Sequence, residues 1–488
     1  MKTASSLLIA ALFVCKVFTA QNFSQNYIVN KNYKAPEADI KAICKQFDDF
    51  PKSLDLNMKI RKGVNESFHV LRDYVYSSDT ADVLMFTDPV SVYVQSIVNH
   101  VQLKNPELAP FKYKVFVYRT GEPNAASLGQ DVLFVNLGLI SKMESEGQLA
   151  FILCHEMAHN TKKHVVDGII KRQELLKDRD FRRKVRRASR QEYNRYRRLV
   201  DLYESYVADY TFNSRKNELT ADSLGLEYFV KAGYDPYVGI KSIMKLDSID
   251  GPLFKDSVDI KKLFAFKHVP FNPEWLQTEE SVDLGNNLKD EKLADSLKTH
   301  PDCPERAAKL KDLIKRQNLD AAKKSFLSTD YNLIKKQAVF ELIELYMDAD
   351  NFGYAMYYAA NYQKEYPNNE YLKYVISRCL SEIYFAQKQH NFSHVVDLPD
   401  PEFENSYNHF LKILHHLSGS DLNTISNYYY EDNLKVLSGT NSQFVGTFLA
   451  CAKSKSLESE SYIREFEKTN KDPYLAAVLK KRFIKQKK

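Results

Sequence analysis

Residues 149–160 read LAFILCHEMAHN. Within them His155 and His159 lie four positions apart, with Glu156 beside the first. On a helix, positions i and i+4 share one face, so both imidazoles can reach one ion. The apolar run from Leu149 to Leu153 suits a buried helix that holds such ligands rigidly. Glu156 is then next to the ion, placed to take a proton from a water that the ion activates. This is the wiring of a zinc peptidase, although so short a pattern also arises by chance in a chain with 12 histidines. The bland reading is two ordinary histidines on one helix.

A catalytic zinc takes three protein ligands and keeps one position open. Downstream, residues 217–222 read NELTAD, with Glu218 and Asp222 again four apart. Glu218 is the candidate third ligand. Asp222 is the candidate acceptor for the ring N–H of a ligand histidine, which would fix that ring's tautomer. Taken alone, the segment reads equally well as a solvated acidic helix face. The competing HExxHxxGxxH scheme needs glycine at 162 and histidine at 165, where this chain has Lys162 and Val165. That scheme is rejected. His164, one position short, is assigned to a helix end that favours a partly cationic ring.

Three segments in order, HEMAH at 155–159, NELTAD at 217–222, and Lys298-Thr-His300-Pro301 with Arg306 behind it, resemble the HtpX and CAAX-prenyl-protease family of zinc metallopeptidases, in the gluzincin group. The similarity spans roughly residues 80–315 and includes Glu122–Ser127 with the strand-like run that follows. The resemblance implies a peptide-bond hydrolase with one zinc per chain, bound by His155, His159 and Glu218, and with Glu156 as general base. It implies that His300 either gates the metal or stabilises the tetrahedral intermediate; a loop-capping role is the plain alternative. Arg306 is expected to pair with a carboxylate near the site, an oxyanion role being the weaker option. The best-known members carry transmembrane helices around the protease domain. No such segment follows the N-terminus here, so the similarity is to the soluble, secreted branch, which suggests quality control of envelope proteins.

The first twenty residues, with Lys2 ahead of the apolar stretch Leu7–Val14 and ending at Ala20, read as a secretory signal peptide. Phe18 and Lys16 make its cleavage region imperfect, and an uncleaved anchor is the alternative. The expected location is exported: periplasmic or associated with the outer membrane, or secreted. Cleavage removes Lys2 and Lys16, and the formal charge falls from +6 to +4, too mild to argue for nucleic acid. Five cysteines remain after residue 20, at irregular spacing, so no disulfide scaffold is implied. Cys154 reads as a small buried hydrophobe, and Cys303 as a loop thiol more readily than a zinc ligand.

The expected fold is mainly α, with an α+β gluzincin-type catalytic domain around a small sheet. Residues 21–35 read as loose, and 21–79 as an N-terminal helical segment. The metallopeptidase domain is placed at 80–317, with strands at 112–119 and 131–136. A sheet edge beside the zinc would let substrate bind as an added strand. Between the zinc motifs, residues 171–198 hold 13 Lys or Arg against four acids. This basic arm, about 171–214, lacks breakers and reads as a long helix or helical hairpin. It is either a solvated insertion or a surface for anionic membrane, acidic partner or acidic substrate. Residues 251–297 read as a loop-rich insertion and candidate lid.

From 318 to 488 the chain reads as helical and rich in tyrosine. A 34-residue frame ending at Pro367 places Tyr346, Ala355 and Ala359 where a tetratricopeptide repeat needs an aromatic and two small residues. A degenerate helical-repeat domain follows, expected to dock protein clients or an envelope assembly complex; a plain helical bundle is the alternative. The composite expectation is a zinc endopeptidase acting on protein or peptide substrates. Its rival is a zinc-containing chaperone or scaffold with a gated or inactive site, acting through the helical repeats.

Overall fold

A computed structural model describes residues 23, 25–27, 29, 35–189, 215–249, 253–254, 258–267, 270–276, 303–319, 331–400 and 403–484. The chain forms two compact units. One comprises Met1–Phe18, Asn30–Asp250 and Asn286–Ala338; the other comprises Thr19–Val29, Gly251–Gly285 and Val339–Lys488. The protein is mainly helical with one small sheet. Among the described residues no helix is long and apolar enough to cross a membrane.

The first unit is built on four strands: β1 (Leu84–Met85), β2 (Lys114–Tyr118), β3 (Ala125–Gly129) and β4 (Val132–Asn136). Their order is β1-β2-β4-β3, with β2 and β4 parallel and both outer pairs antiparallel. The expected strands at 112–119 and 131–136 are β2 and β4. β3 joins β4 through Gln130 and Asp131, both at positive φ (53° and 61°). Positive φ at two consecutive loop residues is what a tight hairpin turn with the right twist demands. Two helices, α1 (Glu37–Ser53) and α2 (Met58–Thr80), cover one side of the sheet. Phe47 and Phe68 from these helices share an apolar cluster with Phe116 of β2 and Phe134 of β4.

Helix α3 (Pro89–Lys104) starts with the Asp88 carboxylate accepting the Ser91 N–H and with Pro89 in the first turn, a standard helix start. The short α4 (Leu137–Lys142) leads from β4 to α5 (Glu146–Thr161), which carries the histidine pair. Ser145 caps α5 by accepting the Gln148 N–H. Both ends of α5 are pinned. In its first turn, the buried Glu146 accepts hydroxyl hydrogen bonds from Tyr93 of α3 and from Tyr234. In its last turn, Asn160 and Asp131 bond reciprocally, Asn160 Nδ2 donating at 2.8 Å and the Asp131 N–H donating back at 3.1 Å. α5 is apolar on nearly every face because nearly every face is covered, as the sequence implies.

α6 (His164–Lys177) and α7 (Arg179–Ser189) form the start of the basic arm. They are two helices rather than one long one. Asp178 is extended (ψ 132°), and its carboxylate accepts the Phe181 N–H, restarting the helix. The rest of the arm, 190–214, lies outside the described residues. A helix over 215–231, here α8, carries the second motif. Gly233 (φ 91°) ends it, and Asp235 with Pro236 starts α9 (Pro236–Asp247), as expected from those residues. α10 (Cys303–Arg316) packs on α9, which in turn packs on α5. None of the five described cysteines is in a disulfide.

The second unit is helical from Phe352 to Phe483. Several of its tyrosines are core residues whose hydroxyls find polar partners: Tyr371 donates to Glu344, Tyr407 to Asp397, and Tyr357 pairs with Ser406. Pairing of this kind is what burial of a phenol requires. Two expectations are corrected here. Residues 21–35 are not uniformly loose: Phe23 and Tyr27 are buried against Phe340, and Tyr27 donates to Glu341. The described part of the 251–297 insertion belongs to this unit rather than to the 80–317 domain: Phe254 lies on Tyr357 and Tyr358, and Trp275 Nε1 donates to Asp421 at 2.9 Å. Trp275 is thus part of the helical unit, which leaves the lid reading without support from this segment.

Candidate metal centre

α5 and α8 meet at Gly225. A Cβ at that position would lie 3.1 Å from both the Cα and the N of His155, and 3.2 Å from the Cys154 carbonyl carbon. The absent side chain lets α8 press its acidic face onto the histidine pair. Gly225→Ala therefore has to separate two backbones that cannot deform locally. Alanine's better helix propensity returns about 1 kcal/mol, while overpacking costs about 1–3 kcal/mol. The expected result is a net loss of stability in denaturant melts together with weaker metal binding. A variant as stable and as metal-competent as the parent would show that the close approach is dispensable.

The approach brings three donor groups together. His155 Nε2 lies 3.0 Å from His159 Nε2 and 3.5 Å from Glu218 Oε2, and His159 Nε2 lies 3.2 Å from Glu218 Oε1. They belong to the three residues that the resemblance names as zinc ligands. Four ligands at zinc bond lengths in a tetrahedron sit about 3.3 Å from one another, and the three separations bracket that value. His155 and Glu218 are buried, and His159 keeps a side-chain exposure of 15%. The donor set and its spacing fit one zinc ion.

Each member is held from behind. His155 Nδ1 lies 2.9 Å from Asp222 Oδ1. Arg306 grips the same carboxylate with two hydrogen bonds, Nε and Nη2 each donating at 2.7 Å, and its Nη1 lies 3.0 Å from Glu218 Oε2. Arg306 thus pairs with carboxylates, as expected of it. Burial opposes charge on His155, yet its bonds to Asp222 and Glu218 outweigh burial and raise its pKa to about 10. Metal binding at Nε2 competes with any proton which that nitrogen carries. Burial likewise opposes charge on Asp222, but Arg306 and His155 hold its pKa below the ordinary carboxylate value.

Glu156 is buried beside His155. One oxygen, Oε2, accepts the Ser127 N–H at 2.7 Å; the other, Oε1, has no hydrogen-bond partner among the described residues. A buried carboxylate oxygen left open is costly unless something bonds to it. Ser127 belongs to β3, the strand at the end of the sheet order, so its N–H serves the site instead of the ladder.

His300 lies outside the described residues. Cys303 opens α10, is buried, and is not among the converging donors. His164 differs from its expected setting. It is the first residue of α6 rather than the last of a helix, a place that disfavours a cation. Its Nδ1 lies 2.9 Å from His159 Nδ1, and burial together with His159 pushes its pKa down to about 4. The roles of Ser127, Gly225 and His164 were not visible in the sequence, because each depends on a close approach that no spacing encodes.

Residues 90–314 match peptidase family M48. This region is similar to the M48 metallopeptidases. A curated relative, mitochondrial metalloendopeptidase OMA1 of Arabidopsis thaliana, is 26% identical over 160 residues, covering 30% of this chain and 29% of the relative. The chain thus spans less than a third of that relative's length. Both matches agree with the resemblance carried by the three motifs, and the M48 region includes His155, Glu156, His159, Glu218, Asp222 and Arg306.

Proposed function

We propose that the protein is a zinc-dependent endopeptidase that hydrolyses peptide bonds of exported or envelope proteins. The observation that carries this is the convergence of His155 Nε2, His159 Nε2 and the Glu218 carboxylate at 3.0–3.5 Å, with Glu156 buried alongside. A zinc ion held by these three residues would polarise a scissile carbonyl and acidify a water. Glu156 Oε1 accepts the proton of the attacking water, while Oε2 stays tied to the Ser127 N–H. Glu156 then returns the proton to the departing amine, which needs a proton to leave. The N–H groups of Ala125, Ser127 and Gly129 on β3 are taken by Asn124 Oδ1, Glu156 Oε2 and Ser127 Oγ, so β3 does not offer these donors to an added peptide strand.

The helical unit is the candidate client-docking surface. Ala355 and Ala359 are fully buried where a tetratricopeptide pair needs small residues, and Tyr346 stacks on Tyr354 at 5.0 Å. An envelope assembly complex is the proposed partner of this unit, and α7, with Arg179, Arg182, Arg183, Arg186 and Arg187, is the proposed contact with anionic membrane. Export rests on the composition of residues 1–20, and gating by His300 on the family resemblance. The expected result for the purified chain is about one zinc per molecule and cleavage of unfolded casein that a chelator abolishes and added zinc restores. Stoichiometric zinc without any cleavage would instead support a scaffold.

A further inference from the structure

The metallopeptidase reading gives His164 no task, yet its placement is specific. α5 ends at Thr161, and Lys163 takes a left-handed conformation (φ 56°, ψ 28°) that a side chain beyond glycine adopts only infrequently. This turn brings the next residue back against the helix just finished. His164 Nδ1 reaches 2.9 Å from His159 Nδ1, with ring centroids 4.8 Å apart and planes at 77°. The site therefore has a parallel construction. Both rings turn Nε2 toward Glu218, and both have Nδ1 engaged, His155 by Asp222 and His159 by His164.

Two ring nitrogens at this distance share one hydrogen. If His159 binds a cation through Nε2, that nitrogen has to offer a lone pair, and the neutral ring carries its hydrogen on Nδ1. His159 is then the donor and His164 the acceptor. We propose that His164 is a positioning residue that fixes the tautomer and ring orientation of His159, as Asp222 does for His155, and thereby sets the site's affinity for its metal. The inference rests on the reading of His159 as a ligand. A neutral acceptor suits this position: Glu156, Glu218 and Asp222 already place three buried carboxylates here, and a fourth would add repulsion.

The test uses the full chain and the variants His164→Ala, His164→Asn and His164→Gln. Zinc affinity is read by competition with a chromophoric chelator, geometry from the absorption spectrum after cobalt(II) substitution, and folding from the metal-free melting curve. Loss of a partner that orients a metal-bound histidine weakens binding about 10–100-fold, which is the expected result for His164→Ala, with a shifted cobalt spectrum. Asparagine places its Oδ1 where the imidazole Nδ1 stood, so His164→Asn is expected to recover most of the affinity and the parental spectrum. Glutamine carries its carbonyl one bond farther and is not. Parental affinity in His164→Ala, or equal weakening in His164→Asn and His164→Gln, would overturn the proposal. The second comparison holds even if alanine impairs folding. A parent that binds no zinc, or a His159→Ala variant that binds it normally, would instead refute the reading of the metal centre and this inference with it.

Discussion

Glu156→Gln is expected to retain zinc and to lose about 10²–10⁴-fold in turnover, the usual contribution of a positioned general base. The substitution is close to isosteric, and the structure explains why it should leave the site intact. The amide oxygen of glutamine can still accept the Ser127 N–H that now meets Oε2 at 2.7 Å. The converging trio of His155, His159 and Glu218 does not involve Glu156. What is lost is an acceptor for a proton, since an amide oxygen is far less basic than a carboxylate. The measurements are metal content per chain and the rate of cleavage of an unfolded protein. Parental cleavage by a zinc-loaded glutamine variant would remove Glu156 from the chemistry. Loss of zinc as well would mean that the carboxylate holds the site together and that the rate says nothing about base catalysis.

The converging donor groups could be picked out in advance because each motif depends on helical periodicity, which a sequence displays directly. HExxH and ExxxD put pairs of side chains on single faces whatever surrounds them. Arg306 was legible as a cation that would pair with a carboxylate near the site; that the carboxylate is Asp222, gripped bidentately, depends on α10 packing against α9. The strands β2 and β4 announced themselves through alternating β-branched and aromatic residues. β3 did not. Its sequence, Ala125-Ala-Ser-Leu-Gly129, has weak strand character, and its turn uses Gln130-Asp131 in place of the Asn-Gly pair that marks such hairpins. Asp131 is kept in this conformation by Asn160 of α5, a tertiary contact. The strand next to the proposed base was therefore the least visible element of the domain.

The assignment of segments to units failed for a similar reason. Phe23, Tyr27 and Phe254 sit in stretches of mixed polarity, and nothing local shows that they pack their rings against Phe340, Tyr357 and Tyr358. The basic arm was read as a long helix or a helical hairpin because no glycine or proline interrupts it, and neither reading placed a break at residue 178. An aspartate that caps the following turn breaks a helix equally well.

Arg306→Met is expected to cost about 3–5 kcal/mol at neutral pH in the metal-free protein, the range for removing one partner of a buried ion pair. Arg306 is 3% exposed and faces two carboxylates, Asp222 and Glu218. Methionine fills much of the space but leaves Asp222 with His155 alone, so burial is no longer outweighed to the same degree. The sign of the pH dependence follows. In the parent, the lowered pKa of Asp222 means that its stabilising contribution is present above the ordinary carboxylate pKa and is lost as pH falls through the lowered one. In the variant the carboxylate pKa moves upward, so the penalty is largest at neutral pH and is relieved as acid protonates the group. The gap between parent and variant should therefore narrow between pH 7.5 and 5, as read from urea melts in chelator. Zinc should narrow it at neutral pH too, because a cation bound to Glu218 replaces part of the charge that Arg306 supplied. The double variant with Asp222→Asn should be less unstable than the two single losses added together, since the orphaned charge is then gone. A gap that stays constant with pH, or losses that simply add, would mean that Arg306 acts through packing and that the carboxylates of this site do not depend on its charge.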